Sequence, residues 1–148
     1  MPTQDFIYCR QFTEVDEKHG PSIEDQLSTV TRLAIAQGAT IPQIIRESES
    51  AKVPGRPVFD DFMRTIHRHE VRIIYCTSLD RLAQNRIDGA ALVWALANGM
   101  ILEIVTPTDS FCHNIISLAI LMYEFRITEE DVKASDPGRY ASPRPVAG

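Results

Sequence analysis

Short apolar runs rich in β-branched and aromatic residues recur along this chain, and a helical pattern separates each from the next. This alternation limits the fold more than any other feature. The runs are Phe6-Ile-Tyr8, Ile41 to Ile45, Val71-Arg-Ile-Ile-Tyr-Cys76 and Met100 to Val105. After the first, Ser22 reads as a helix N-cap, and Ile23, Leu27, Val30, Leu33, Ala34 and Ala36 fall at helical spacing before Gly38 stops them. Pro42 marks the beginning or an edge of the second strand. Pro57 suits the first turn of a helix through His67, with Val58, Phe59, Phe62, Met63 and Ile66 on its apolar face. A further helix is expected from Ile87 to Asn98, with Gly99 as its cap. Strands and helices in this order predict a three-layer α/β sandwich around a mostly parallel sheet of four or five strands. At 148 residues the chain suffices for one such domain and is short for two.

From Ser110 the pattern changes. Nearly every position from Phe111 to Phe125 is apolar, which predicts a long helix that must be covered on all sides. It is shorter than the ~20 residues a bilayer span requires. A helix appended after the last strand has one face left for its own sheet, so its other face is expected to meet a second subunit. Ile115, Ile116, Leu118, Ala119, Leu121, Met122 and Phe125 are the candidate interface residues. The expected organisation is an α/β core over residues 1–109, the long interface helix over 110–127, and a short helix capped by Thr128 followed by a disordered tail over 128–148.

A net charge of −5 counts against a chain that grips DNA tightly, because Lys and Arg on phosphates supply most non-specific affinity. DNA contact is expected to be weak. Cys9, Cys76 and Cys112 form no pairing pattern and read as thiols of a reducing cytoplasm. No targeting segment or membrane span is visible. His67-Arg-His69-Glu70 and Cys112-His113 lack the four-ligand spacing of structural zinc, and no Gly-rich phosphate loop is present. Neither a metal nor a cofactor is expected.

The candidate site lies at Thr77-Ser-Leu-Asp-Arg-Leu-Ala-Gln-Asn85, directly after the third apolar run. That places Asp80 and Arg81 beyond the carboxyl end of a strand, where open α/β sheets build their sites. Arg10 ends the first run and falls at the same rim. Two arginines and a carboxylate converging there suggest a site shaped for phosphate.

Tyr8-Cys-Arg10, Ser22-Ile-Glu-Asp-Gln26, Gly55-Arg-Pro57 and Leu79-Asp-Arg-Leu82 occur in an order and spacing that resemble the catalytic domain of the resolvase/invertase family of serine recombinases. The resemblance runs from about Phe6 to Pro107, with a weaker continuation around Leu118. It implies a resolvase-like fold that dimerises through the helix after the last core strand. The implied chemistry is attack of a serine hydroxyl on a DNA phosphodiester, with a transient phosphoseryl link and arginines stabilising the phosphorane. Arg10, Gln26, Arg56, Asp80 and Arg81 match family site positions. Phe12 stands at the nucleophile position, and Gln84 stands where another arginine is usual. Glu124-Phe125 replaces the Glu-Arg that the family tends to show.

A phenyl ring has no lone pair to offer and blocks the approach of a phosphate. The expectation is therefore an inactive homologue: a dimeric binding or regulatory protein of DNA recombination. It would pair with itself or with an active recombinase. The alternative is an active strand-exchange or nicking enzyme with a relocated nucleophile. Thr13 points opposite to residue 12 in extended chain, Cys9 precedes Arg10, Cys76 faces the core, and Ser48 and Ser50 lie on a polar connection without a placed base. A small α/β enzyme with an unrelated substrate is a third reading, since fold does not fix function. At the rim two readings stay open. Arg10, Arg56 and Arg81 still hold a DNA backbone or another anion, or Asp80 pairs with an arginine and ties the loops to the sheet. Nothing after Arg126 is expected to form a separate DNA-binding module.

Overall fold

The structure, a computed structural model, describes residues 4–11, 21–39, 42–135 and 137–140; Phe12 and Thr13 lie outside them. Five strands form one sheet in the order β2-β1-β3-β4-β5. β1 (Gln4–Arg10), β2 (Gln43–Glu47), β3 (Val71–Tyr75) and β4 (Glu103–Val105) are parallel, and β5 (Ser110–Cys112) runs antiparallel to β4. The helices are α1 (Ile23–Ala36), α2 (Pro57–His67), α3 (Arg86–Ala97), α4 (Ile115–Phe125) and α5 (Glu129–Lys133).

Alternation along the strands divides the core. Phe6 and Tyr8 of β1 pack with Phe59, Phe62 and Met63 of α2 and with the apolar residues of α3. Ile7 and Cys9 point the other way, onto Val30 and Ala34 of α1. One helix thus covers one face, while α2, α3 and α4 cover the other. The expected three-layer, mostly parallel α/β architecture is what the chain adopts. The local signals act as read: Ser22 accepts from the Asp25 amide, Pro57 opens α2, and Thr128 makes a capping box with Asp131.

The long terminal helix is a correction. Ser110–Cys112 forms the edge strand β5 instead, and α4 begins only after Asn114, whose side chain accepts from the Ser117 amide. It ends after 11 residues because Arg126 takes the left-handed conformation, φ 60° and ψ 47°, which turns the chain back toward α3. The candidate interface divides accordingly. Leu121 and Phe125 are buried in the chain's own core, and Leu118 and Met122 pack against it. Ile115, Ile116 and Ala119 face outward, joined by Ile120 and Tyr123.

The tail also departs from expectation. Pro137–Tyr140 forms a 3-10 turn and Tyr140 is only 2% exposed; residues 136 and 141–148 lie outside the described set. The second strand starts at Gln43 rather than Ile41, which is not described, and the fourth starts at Glu103 rather than Met100.

Gly89 sets how closely α3 and α4 approach. A Cβ built there would lie 2.9 Å from both Cβ and Cγ of Phe125. Gly89→Ala is expected to destabilise the fold by about 1–2 kcal/mol, with overpacking outweighing alanine's better helix propensity. Urea titration of the two proteins would measure it, and a stabilised variant would show that the contact relaxes freely.

Candidate functional site

The carboxyl ends of β1, β2 and β3 meet the 3-10 turn Leu79–Arg81 at one rim of the sheet. Arg10, the last residue of β1, is fully buried there. Its guanidinium donates to three main-chain carbonyls: Nε to Arg81 at 3.3 Å, Nη1 to Glu49 at 3.2 Å and Nη2 to Asp80 at 3.1 Å. Arg81 answers by donating Nη1 to the Arg10 carbonyl at 3.0 Å. Gln26, on the first turns of α1, brackets the same residue: its Oε1 accepts from the Arg10 amide at 3.1 Å, and its Nε2 donates to the Arg10 carbonyl at 2.8 Å. The Asp80 carboxylate accepts from the Ser78 hydroxyl. Arg10, Gln26, Asp80 and Arg81 are therefore brought together, and the arginines lace the rim through backbone carbonyls.

Arg56 sits deeper, at the N-cap of α2, with 2% exposure. Its Nη1 reaches Glu47 Oε1 at 2.7 Å, and its Nη2 reaches Asp88 Oδ2 at 3.1 Å and the Leu82 carbonyl at 2.6 Å. Nε also donates to Asp88 at 3.3 Å, and the group lies 4.1 Å from the centre of the Phe59 ring. The Tyr8 hydroxyl donates to the same Glu47 oxygen at 2.6 Å. Asn85 Nδ2 donates to Asp88 Oδ2 at 2.8 Å while its Oδ1 caps α3. Burial raises Glu47 above the ordinary carboxylate range, against the pull of Tyr8 and Arg56. Burial likewise pushes the Tyr8 phenol well above its usual value, and the Glu47 charge adds to it. Among the described residues, Arg56 is thus paired with two buried carboxylates.

Gln84 is exposed beyond the turn, with its amide bonded to Ala51. It helps line a cavity of about 260 Å³ with Asp80, Glu124 and Arg126. Of the alternative nucleophiles, Cys9 and Cys76 are buried, and burial pushes their thiols up to about 11 and about 12. The Ser50 hydroxyl accepts from the Lys52 amide. Phe12 and Thr13 fall outside the described residues. Among the described residues, no group of three or more His, Cys, Asp or Glu side chains is placed to hold a metal. None of their helices is long and apolar enough to cross a membrane.

Asn85 closes the stretch expected to form the site, whereas Glu47, Asp88 and Tyr140 were not anticipated as parts of this region. Glu47 adjoins the polar connection that holds Ser48 and Ser50, and nothing in its local sequence marks it as buried. A signal did exist for Asp88. Asn85 and Asp88 have the spacing of a capping pair, and Leu82-Ala83 just before them are apolar enough to bury it.

The family described as "Resolvase, N terminal domain" matches residues 6–120 of this chain. No curated protein is similar enough in sequence to match it. Among solved structures, the N-terminal catalytic domain of TP901-1 integrase is similar with a TM-score of 0.64 at 22% identity, covering 84% of this chain and 96% of that one. A resolvase family site-specific recombinase from Streptococcus pneumoniae gives 0.60 at 19% identity, covering 88% and 90%. The C-terminal catalytic domain of ISC1926 TnpA, an IS607-like serine recombinase, gives 0.57 at 15% identity, covering 88% and 92%.

Proposed function

The chain belongs to the resolvase family, matched through that family's N-terminal domain, and from that premise we propose that it has lost strand cleavage and acts by binding, pairing with itself or with an active recombinase through α4. The observation that carries the loss is Phe12, two residues after Arg10, where the resemblance places the attacking serine. The surrounding charges support it. Arg10 donates to three carbonyls, Arg56 is neutralised by Glu47 and Asp88, and Gln84 brings no cation. A net charge of −5 favours a protein surface over a polyanion as the principal partner.

The outer face of α4 supports the pairing. Ile115 is 83%, Ile116 69% and Tyr123 80% exposed on one short helix. Such a contiguous apolar face on a soluble protein marks an interaction surface more often than chance exposure does. Each isoleucine gains about 1.5–3 kcal/mol when fully covered. Sedimentation of the purified chain is expected to show a dimer, and Ile116→Glu is expected to weaken it at least about tenfold by burying a charge in the seam. A monomeric wild-type chain that also fails to retain any resolvase-type recombinase would end the proposal.

A further inference from the structure

We propose that Pro137–Tyr140 is a strap that holds Arg56 in place from a distance, with Tyr140 as the positioning residue acting through Asp88. The inference stands on the buried network alone and does not depend on the pairing described above. The turn Pro137–Tyr140 packs on α2, with the Tyr140 ring beside His67, the last residue of that helix. Its hydroxyl meets Asp88 Oδ1 at 3.5 Å, while the other oxygen of that carboxylate holds Arg56 and Asn85. Its ring lies 5.7 Å from the His67 ring, which stacks on Trp94 at 5.6 Å with an interplanar angle of 5°. The Arg139 guanidinium lies over the Tyr140 ring.

One aromatic side chain near the C-terminus thus caps both a histidine–tryptophan stack and the carboxylate that orients a buried arginine. Lifting Tyr140 would take a hydroxyl donor away from Asp88 Oδ1, beside Asp60 and Arg139, and would open that carboxylate to water. Arg56 would then lose the rigidity of one of its two anionic partners, and the connection from Glu47 to Arg56 would loosen with it. A partner that engages the chain around residue 140 would therefore act on the site rim without touching it.

Trp94 is the sole tryptophan, so the strap reports on itself. His67 faces Trp94, Tyr140 and the neighbouring His69, and burial, with His69 adding, holds its imidazole below the ordinary histidine value. A protonated imidazole stacked on indole quenches its emission, so the midpoint of a Trp94 fluorescence titration tracks the cover over His67.

The test compares the full chain with Tyr140→Ala and Tyr140→Phe by that titration and by native-state amide exchange. In Tyr140→Ala the midpoint should rise toward the ordinary histidine value, and exchange at residues 47–56 should quicken by about tenfold or more while β3 is unchanged. Tyr140→Phe keeps the ring and loses only the hydroxyl; it should leave the titration near wild type and quicken the same amides by a smaller factor. A moved titration with unchanged exchange at 47–56 would overturn the proposal, and so would an unmoved titration in Tyr140→Ala. Should the alanine variant not fold, unchanged exchange in Tyr140→Phe overturns it alone.

Discussion

Replacing Arg56 with methionine is expected to lower the folding free energy by about 3–5 kcal/mol, the usual effect of removing one partner of a buried ion pair. In a domain of this size that is a drop of roughly 10 °C in melting temperature. The reason is specific to the network. Arg56 is held by Glu47 and Asp88, both inaccessible to water, and by the Leu82 carbonyl. Without the cation, the hydrogen bonds left to these two buried carboxylates among the described residues come from Tyr8, Asn85 and Tyr140. Glu47, already raised by burial, would be raised further without the Arg56 charge. Its raised value means its share of stability is greatest below about pH 4.5 and is lost as the pH rises through the folded value, so the variant should lose more at neutral pH than in mild acid. Adding Glu47→Gln to the methionine variant should recover at least about 1 kcal/mol, which a double-mutant cycle would register as coupling. A methionine variant within about 1 kcal/mol of wild type would show that Arg56 is not structural and would reopen it as a phosphate ligand.

The second large effect is an absence that one assay can contradict. Incubated with supercoiled DNA and trapped by denaturant, the wild-type chain is expected to yield neither nicked plasmid nor a covalent protein–DNA adduct. Phe12→Ser restores an oxygen nucleophile but not the electrostatics that stabilise a phosphorane. Each missing or misdirected donor at such a site typically lowers turnover by about 10²–10³-fold. Among the described residues Arg10 directs one N–H each at the Glu49, Asp80 and Arg81 carbonyls, and Gln84 supplies no charge. The serine variant should therefore form adduct at least about 10²-fold more slowly than an active serine recombinase under the same conditions. An adduct from the wild-type chain that disappears in Arg81→Ala would instead establish a relocated nucleophile.

The layer architecture was legible because its signals are long and periodic. Val71 to Tyr75 and the helix opened by Pro57 needed no tertiary context, and neither did the caps at Ser22 and Thr128. The short elements were not. Ser110–Cys112 offers only three residues of alternation, and the apolar run that follows masks where its strand ends and α4 begins. Arg126 could not be read as a helix terminator, because a left-handed turn at a non-glycine residue leaves no compositional mark. The site divided in the same way. The order of the motifs brought Arg10, Gln26, Asp80 and Arg81 to one rim. What Arg56 does was invisible, because its partners Glu47 and Asp88 lie 9 and 32 positions away and each looks like a solvated acid when read alone.

The close approach of α3 and α4 over Gly89 also bears on kinetics. A helix keyed so tightly to its neighbour presents Ile115, Ile116 and Tyr123 at a fixed angle before any encounter. Little ordering remains to be done at the moment of contact, so association on this face should run at about 10⁵–10⁷ M⁻¹s⁻¹ without an induced-fit phase. Each copy carries a net charge of −5, so pairing of two copies should quicken as added salt screens their mutual repulsion.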